Sequence, residues 1–335
     1  MLRNLVSIDD FLVVHEKLRQ GYGGRVKRLL RPRSRNERTQ MAWEATESPP
    51  KHWGSLDQVQ KRWNKLATGN PDRTFHDHFV ETYLFGTRNP EPGTRNPGLR
   101  ALSIGCGTGT HEIRFAGFPE YFSRIDAYDV SPVRIALASK RARDIGLDDV
   151  LHFHAADVRT LELPPNTYDL LITINALHHI APLEPAILRF KSALKQGGLI
   201  LLRDYVGPRQ FQWPDRQVRA VDEALKRIPE SFRRRWGSGS VKKRVWKPGR
   251  LLMRLSDPSE AAESDLILPL LESHFTLTER RDLGGGILHL ALKDIAHNFA
   301  SAAGKPWLGY LFELEDQLLA SGEVSSDFVV SVFKV

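Results

Sequence analysis

Three closely spaced glycines mark the place in this sequence where chemistry is most strongly indicated. Gly105, Gly107 and Gly109 follow a short apolar run and precede a predicted helix. Glycine lets the backbone turn sharply and come close to a ligand, and the free N–H groups at a helix start carry partial positive charge. The loop predicts a site for a nucleotide-like ligand at the carboxyl end of a sheet. A tight strand-to-helix turn without a ligand is the alternative.

Two carboxylates strengthen the prediction of a nucleotide site. Asp129 ends the second predicted strand, where it can accept hydrogen bonds from both hydroxyls of an adenosine ribose. Asp157 ends the third, where it can accept a hydrogen bond from an adenine amino group with Val158 beside the ring. A helix cap or turn role is the alternative for Asp157. A nicotinamide cofactor fits less well, because the fingerprint G-x-G-x-x-G requires glycine where Thr110 stands.

A pair of histidines, His178 and His179, follows the fourth predicted strand and so falls at the mouth of the same site. Histidine can act as a base near neutral pH, because its pKa lies close to that range. Either histidine is a candidate base, and the sequence does not choose between them. The alternative is that one of them packs or forms hydrogen bonds and that neither moves a proton.

The segments that must position these residues alternate between strand-like and helix-like. The strand-like runs are 101–105, 124–130, 150–157, 168–175 and 199–205, and helical patterns cover 131–146 and 182–198. This alternation predicts βαβ units, and therefore an α/β fold with a doubly wound, mostly parallel sheet. The run 275–293 has glycines between two strand-like halves and predicts an antiparallel hairpin at the end of the sheet. An edge strand is also predicted at 328–333.

The composition narrows the class of protein. The chain has 335 residues, is 41% hydrophobic and has no apolar run of 18 residues, so no membrane-spanning helix is expected. The N-terminus lacks the pattern of a secretory signal, which makes a cytoplasmic location the expectation. Cys106 is the single cysteine, so neither a disulfide framework nor a multi-cysteine metal site is expected, and the spacing of His76 and His78 does not indicate zinc.

Positive charge is concentrated in two segments. Residues 1–40 hold ten Lys and Arg against four Asp and Glu, and residues 203–254 hold fifteen against five, within a chain of net charge +8. Such segments suit an anionic partner such as nucleic acid, acidic lipid or a phosphorylated substrate. A solvated basic surface is the alternative.

Five runs, taken together, resemble the successive motifs of the class I S-adenosylmethionine-dependent methyltransferases: IGCGTG, AYDVSP, AADV, YDLLITINALHHI and LKQGGLILLRDYVGP. The later segment YVGPRQFQWPD resembles a bacterial subgroup of these enzymes. The resemblance implies a seven-stranded sheet in the order 3-2-1-4-5-7-6 with the last strand antiparallel. It also implies S-adenosyl-L-methionine as the cofactor.

The resemblance also assigns cofactor contacts residue by residue. The glycine loop would hold the methionine portion, Asp129 the ribose, and Asp157 with Val158 the adenine, while Asn175 and Leu177 would flank the sulfonium. The complete expected set is Gly105, Cys106, Gly107, Gly109, Asp129, Val130, Ala156, Asp157, Val158, Asn175 and Leu177.

The expected domain layout places the methyltransferase domain at 98–295, with a helical insertion at 206–274 on the substrate side. A basic N-terminal segment (1–50), a helical lead-in (51–97) and a helical extension (296–335) surround it.

The predicted function is methyl transfer to a small-molecule, glycan or lipid-linked acceptor, with oxygen as the favoured atom. The rival functions are RNA methylation, suggested by the basic segments, and cofactor binding without catalysis.

Overall fold

The computed structural model describes residues 52–84, 98–251, 253 and 257–335. The expected basic N-terminal segment (1–50) lies outside this range, as do residue 51 and residues 85–97 of the expected helical lead-in. The chain divides into two units. We call them the sheet unit (64–206, 263–282 and 329–335) and the helical unit (52–63, 207–262 and 283–328), each within the described residues.

A seven-stranded sheet dominates the sheet unit, and its strands run in the order β3-β2-β1-β4-β5-β7-β6. The strands are β1 (Leu99–Ile104), β2 (Phe122–Asp129), β3 (Leu151–Ala155), β4 (Tyr168–Ile174), β5 (Leu194–Tyr205), β6 (Thr276–Gly284) and β7 (Phe328–Lys334). The first five pair in parallel. Their carboxyl ends therefore meet at one edge, where ligands bind in folds of this kind.

The seventh strand runs against its neighbour β5. Val335, just beyond the end of β7, donates its N–H to the carbonyl of Gly198 near the beginning of β5, at 3.0 Å. The carboxyl end of β7 therefore lies beside the amino-terminal half of β5, which means that the two strands run in opposite directions. The predicted strand order and the antiparallel last strand are confirmed.

Nine α-helices are formed by the described residues of the two units. They are α1 (Asp57–Thr68), α2 (Phe75–Phe79), α3 (Thr110–Ala116), α4 (Pro132–Asp144), α5 (Leu183–Ala193), α6 (Asp215–Arg227), α7 (Ile267–His274), α8 (Leu288–Leu292) and α9 (Lys305–Ala320). Ser131 caps α4, since its side chain accepts the N–H of Arg134, and Pro132 occupies the first turn. The main apolar core of the sheet unit packs against α5 and α7. It includes Leu102, Leu171 and Leu202 from the three adjacent strands β1, β4 and β5.

The hairpin predicted at 275–293 is wrong. Its first half is β6, but its second half forms the helix α8, and the strand that follows β6 in the sheet order is β7. In the helical unit the buried carboxylate of Glu315 on α9 explains the helix, because it accepts the N–H groups of Gly285, Ile287 and Leu288 at 2.9–3.1 Å. These donors are the free groups of a helix start, which need acceptors when buried. The run 328–333 is likewise an inner strand rather than an edge strand.

None of the helices within the described residues is long and apolar enough to cross a membrane.

Candidate active site

The glycine loop after β1 has a backbone that only glycine adopts without strain. Gly105, Gly107 and Gly109 have φ values of +66°, +55° and +74°. A Cβ on Gly105 would lie 2.6 Å from the Cβ of Ala176, and one on Gly109 would lie 2.7 Å from the ring of Phe153. A Cβ on Gly107 would meet only Arg134 Nη1, at 3.7 Å. The loop is thus packed at its ends and open at its middle glycine.

Asp129 holds this loop in place. The side chain is buried, with 2% of its surface exposed. One carboxylate oxygen accepts the N–H of Gly107 and the other accepts the N–H of Ser131, both at 2.9 Å. A carboxylate oxygen can accept more than one hydrogen bond, so these contacts leave acceptor capacity on Asp129. The next residue, Val130, is 37% exposed and presents an apolar side chain beside the loop.

The residues after β3 form a turn. Asp157 accepts the backbone N–H of Arg159 at 2.9 Å and pairs with the guanidinium of Arg159 at 2.6 Å. These hydrogen bonds from Arg159 lower the pKa of Asp157. Ala156 donates its N–H to the carbonyl of Asp129, and Val158 packs against the main apolar core. Asp157 therefore does have the turn role that the sequence left open, and it remains half-exposed beside Val158.

The turn after β4 brings the two histidines to the glycine loop. Asn175 has a φ of +53° and donates its N–H to the carbonyl of Arg203 at 2.7 Å. Its side chain is exposed, whereas Leu177 is 1% exposed and its side chain belongs to the main core. Ala176 lies against Gly105 of the glycine loop, and the short helix Leu177–His179 begins at the next residue. The helix therefore begins beside the loop.

A buried carboxylate orients one of the histidines. Asp204 on β5 is fully buried and accepts the N–H groups of Ala176, Leu177 and Tyr205 at 2.7–3.1 Å. It also forms a short hydrogen bond with Nδ1 of His178. A carboxylate so placed keeps the proton on Nδ1, which leaves Nε2 as a proton acceptor. His178 and Asp204 therefore form a dyad in which a buried carboxylate orients the imidazole ring.

The other histidine, His179, has a different environment. Burial is the main cause that lowers the pKa of His179 well below its usual value, and the charges of His178 and Arg134 lower it further. It therefore stays neutral near pH 7. The two rings lie 3.9 Å apart between centroids. His178 is the candidate base that Asp204 holds, a contact that the sequence could not show.

Glu112 on α3 is a buried acid that the sequence analysis missed. Its Oε1 accepts the hydroxyl of Ser103 on β1 at 2.6 Å, and its Oε2 is buried without a hydrogen-bond partner. Burial raises the pKa of Glu112 to about 7, and the charge of Asp129 adds to the effect. One signal was available: Glu112 lies three and four residues before Phe115 and Ala116, which form the buried face of α3.

We expect Glu112→Gln to stabilise the protein at alkaline pH. An acid with a raised folded pKa destabilises the fold progressively as pH rises through the range between the unfolded value, about 4.5, and the folded value, about 7. Above pH 7 the full penalty is on the order of 3 kcal/mol. Gln retains the oxygen that accepts the Ser103 hydroxyl and removes the titration. Urea unfolding at pH 5 and pH 8 measures the effect: a variant that loses as much stability as the parent between these pH values contradicts it.

A second missed cluster lies where α2, α3 and β5 meet. His76 Nε2 and His111 Nδ1 are 2.9 Å apart, and the Arg203 guanidinium lies 5.4 Å from the ring centroid of Phe75. Burial and the nearby cations lower the pKa of His76 to about 2 and that of His111 to about 4. His78, by contrast, pairs with Glu279 at 3.0 Å. The two histidines of α2 thus have separate partners.

The geometry at the carboxyl edge fits the adenosine cofactor that the sequence analysis expected. The loop is open at Gly107, Asp129 and Asp157 lie at adjacent strand ends, and exposed apolar surface is available at Val130. A histidine held by a buried carboxylate lies at the next strand end. This combination can hold a nucleoside and place an acceptor beside His178.

Comparison with known proteins identifies the family of the chain. A family model described as a methyltransferase domain matches residues 95–272. Phosphoethanolamine N-methyltransferase 1 of Arabidopsis thaliana is 31% identical over 153 residues, which are 45% of this chain and 30% of that protein. 27-O-demethylrifamycin SV methyltransferase of Amycolatopsis mediterranei is 29% identical over 131 residues, 38% of this chain and 47% of that protein.

Among solved structures, an S-adenosylmethionine-dependent methyltransferase from Mesorhizobium loti aligns with a TM-score of 0.40 and 19% identity, covering 71% of this chain and 91% of that one. The chain spans about a third or less of the length of the phosphoethanolamine N-methyltransferases that it matches.

The chain belongs to the methyltransferase-domain family. It is an enzyme of the class I methyltransferases, and its cofactor is S-adenosyl-L-methionine.

Proposed function

We propose that this enzyme methylates a hydroxyl oxygen of a small-molecule, glycan or lipid-linked acceptor, with His178 as the base. The observation that carries the proposal is the hydrogen bond between His178 and the buried Asp204 at the strand ends that adjoin the glycine loop.

The cofactor contacts in this proposal come from four strand ends. The backbone of Gly105, Gly107 and Gly109, with Cys106 between them, would hold the methionine portion, and Asp129 would bind the ribose. Adenine would be held by the residues that follow β2 and β3: Val130, Ala156, Asp157 and Val158. Asn175 and the backbone of Leu177 would lie near the methyl group. When bound, S-adenosylmethionine supplies a methyl group on a positively charged sulfur, which makes that group an electrophile.

His178 performs the step that belongs to the protein. Its Nε2 accepts the proton of the acceptor hydroxyl as the oxygen attacks, and Asp204 stabilises the imidazolium that results. An amine can lose its proton to water before it binds, whereas an alcohol keeps its proton until attack. A fixed base is therefore most valuable for an oxygen acceptor. The similar proteins do not decide the atom, since their names specify both N- and O-methylation.

The replacement His178→Gln tests the proposal. We expect the turnover rate to fall by about 100- to 10,000-fold, the usual contribution of a general base, while cofactor affinity changes by less than about threefold. The matched control is His179→Gln, for which we expect a fall of less than about tenfold, since Asp204 orients His178.

The assay follows transfer of a ¹³C-labelled methyl group to acceptor mixtures, with NMR to distinguish O-methyl from N-methyl products. An N-methyl product, or equal activity of the two histidine variants, would show the proposal to be wrong.

A further inference from the structure

The helical unit carries a dense positive surface. Residues 231–250 contain eight Lys and Arg and no Asp or Glu. Arg234, Lys243, Arg244 and Arg250 are exposed. Glu230 neutralises part of this charge, because its carboxylate pairs with the Arg234 guanidinium at 3.1 Å. A single-sign cluster of this kind attracts anions over a range set by salt.

A rigid turn presents this charge together with an aromatic ring. Arg234 and Val241 form an antiparallel bridge, and between them the chain closes through Trp236 and two glycines. We call residues 234–241 the Trp236 turn. Arg235 donates its N–H to the carbonyl of Ser240, and Trp236 donates its N–H to that of Asp294, at 2.9 and 3.0 Å. These bonds fix the turn to the helical unit.

Side chains below the Trp236 turn secure its base. Lys242 is buried and its ammonium donates to the carbonyls of Leu290, Ala291 and Lys293 at 2.7–3.1 Å. Asn298 donates to the carbonyls of Phe232 and Arg234 at 3.0 and 2.8 Å. The platform is therefore formed before any partner arrives, which lowers the entropy cost of binding.

Trp236 is 38% exposed, and no other Phe, Tyr or Trp side chain in the described parts of the chain is exposed to this degree. The other rings of the segment are engaged: Phe232 packs against Phe299 at 5.9 Å, and the Arg244 guanidinium covers Trp246 at 4.9 Å. One amphipathic ring beside a group of cations is the arrangement that peripheral proteins use at a lipid headgroup layer.

We propose that the Trp236 turn, with Lys243 and Arg244, docks the enzyme on a membrane surface rich in acidic phospholipids. The cations meet the lipid phosphates and Trp236 lies at headgroup depth. The proposal is separate from the proposed chemistry. Single-stranded nucleic acid would carry the same phosphate chemistry, but it is favoured by several stacking rings, and this surface offers one.

Vesicle sedimentation of the full chain tests the proposal. We expect binding to phosphatidylcholine vesicles that contain about a third phosphatidylglycerol, none to pure phosphatidylcholine, and weaker binding at higher salt. Lys243→Gln with Arg244→Gln should weaken binding at least about 20-fold, since each cation near an acidic surface contributes about fivefold. Trp236→Ala should weaken it about fivefold without lowering the melting temperature.

A charge-matched control addresses the other basic segments of the chain. Lys140→Gln with Arg143→Gln removes the same charge from exposed positions on α4 of the sheet unit, and we expect it to bind vesicles like the parent. Equal loss in both double variants, no vesicle binding, or tighter binding to a single-stranded RNA oligomer than to vesicles at the same salt would overturn the proposal.

Discussion

Gly105→Ala is expected to reduce the affinity for S-adenosylmethionine by at least about 100-fold. The new Cβ would lie 2.6 Å from the Cβ of Ala176, on a residue whose φ is +66°. Left-handed backbone strain and overpacking each cost about 1–3 kcal/mol. A 100-fold loss of affinity corresponds to about 2.7 kcal/mol. The free-energy cost of holding the displaced loop in its binding conformation is of this size. Calorimetric titration with the cofactor measures the loss.

Two further glycine variants separate binding from folding. Gly146 follows α4 with a φ of +68° and has open space around its missing Cβ, so Gly146→Ala should cost about 1 kcal/mol of stability and leave affinity unchanged. The Cβ that Gly107→Ala adds would meet no protein atom closer than 3.7 Å, but it would project into the open centre of the loop. This variant should remain folded and still lose affinity. Parent-like affinity in a folded Gly105→Ala protein would contradict the assigned loop role.

Asp204→Asn is expected to lower the turnover rate by about 100-fold or more. The asparagine oxygen can still accept the N–H groups of Ala176 and Leu177, but the amide nitrogen then faces His178 Nδ1. An amide N–H there makes Nδ1 the acceptor and moves the ring proton to Nε2, which can no longer act as a base. The N–H of Tyr205 also loses its acceptor, at a cost of about 1–3 kcal/mol of stability.

Two measurements separate the catalytic effect of Asp204→Asn from its effect on stability. We expect kcat to fall with little change in KM, and the pH profile of kcat to differ from that of the parent. The control is Asp169→Asn, which removes an acid that accepts the Arg100 N–H and pairs with Lys195. It should cost stability without changing the pH profile. If both variants fall equally in kcat, Asp204 does not act through His178.

The sheet was predictable because its evidence is local. Each parallel strand is a short apolar run between turn residues, and the five predicted runs overlap β1 to β5. The prediction of a strand at 288–292 was wrong because the spacing of apolar residues in so short a run does not distinguish a strand from a helix. What makes this run helical is the Glu315 carboxylate on α9, distant in sequence. Local patterns do not contain that contact.

The site was predictable to the extent that strand ends bring residues together. The parallel pairing of Ile174 with Arg203 places Asp204 beside the turn that carries His178, which is why two separate motifs meet. The choice of His178 over His179 required side-chain geometry that no spacing expresses. The partnership of Glu112 with Ser103 was missed for the same reason, since it joins a helix face to a strand face.

The position of β7 between β5 and β6 has a consequence for synthesis on the ribosome. β6 emerges well before β7, yet it can enter the sheet only through β7. During this interval the nascent chain carries a strand with unpaired backbone groups, which invites pairing between chains. Glu279, Arg280, Arg281 and Asp282 give that strand four consecutive charged side chains, two acidic and two basic. Charges of this kind discourage premature association until its partner has been translated.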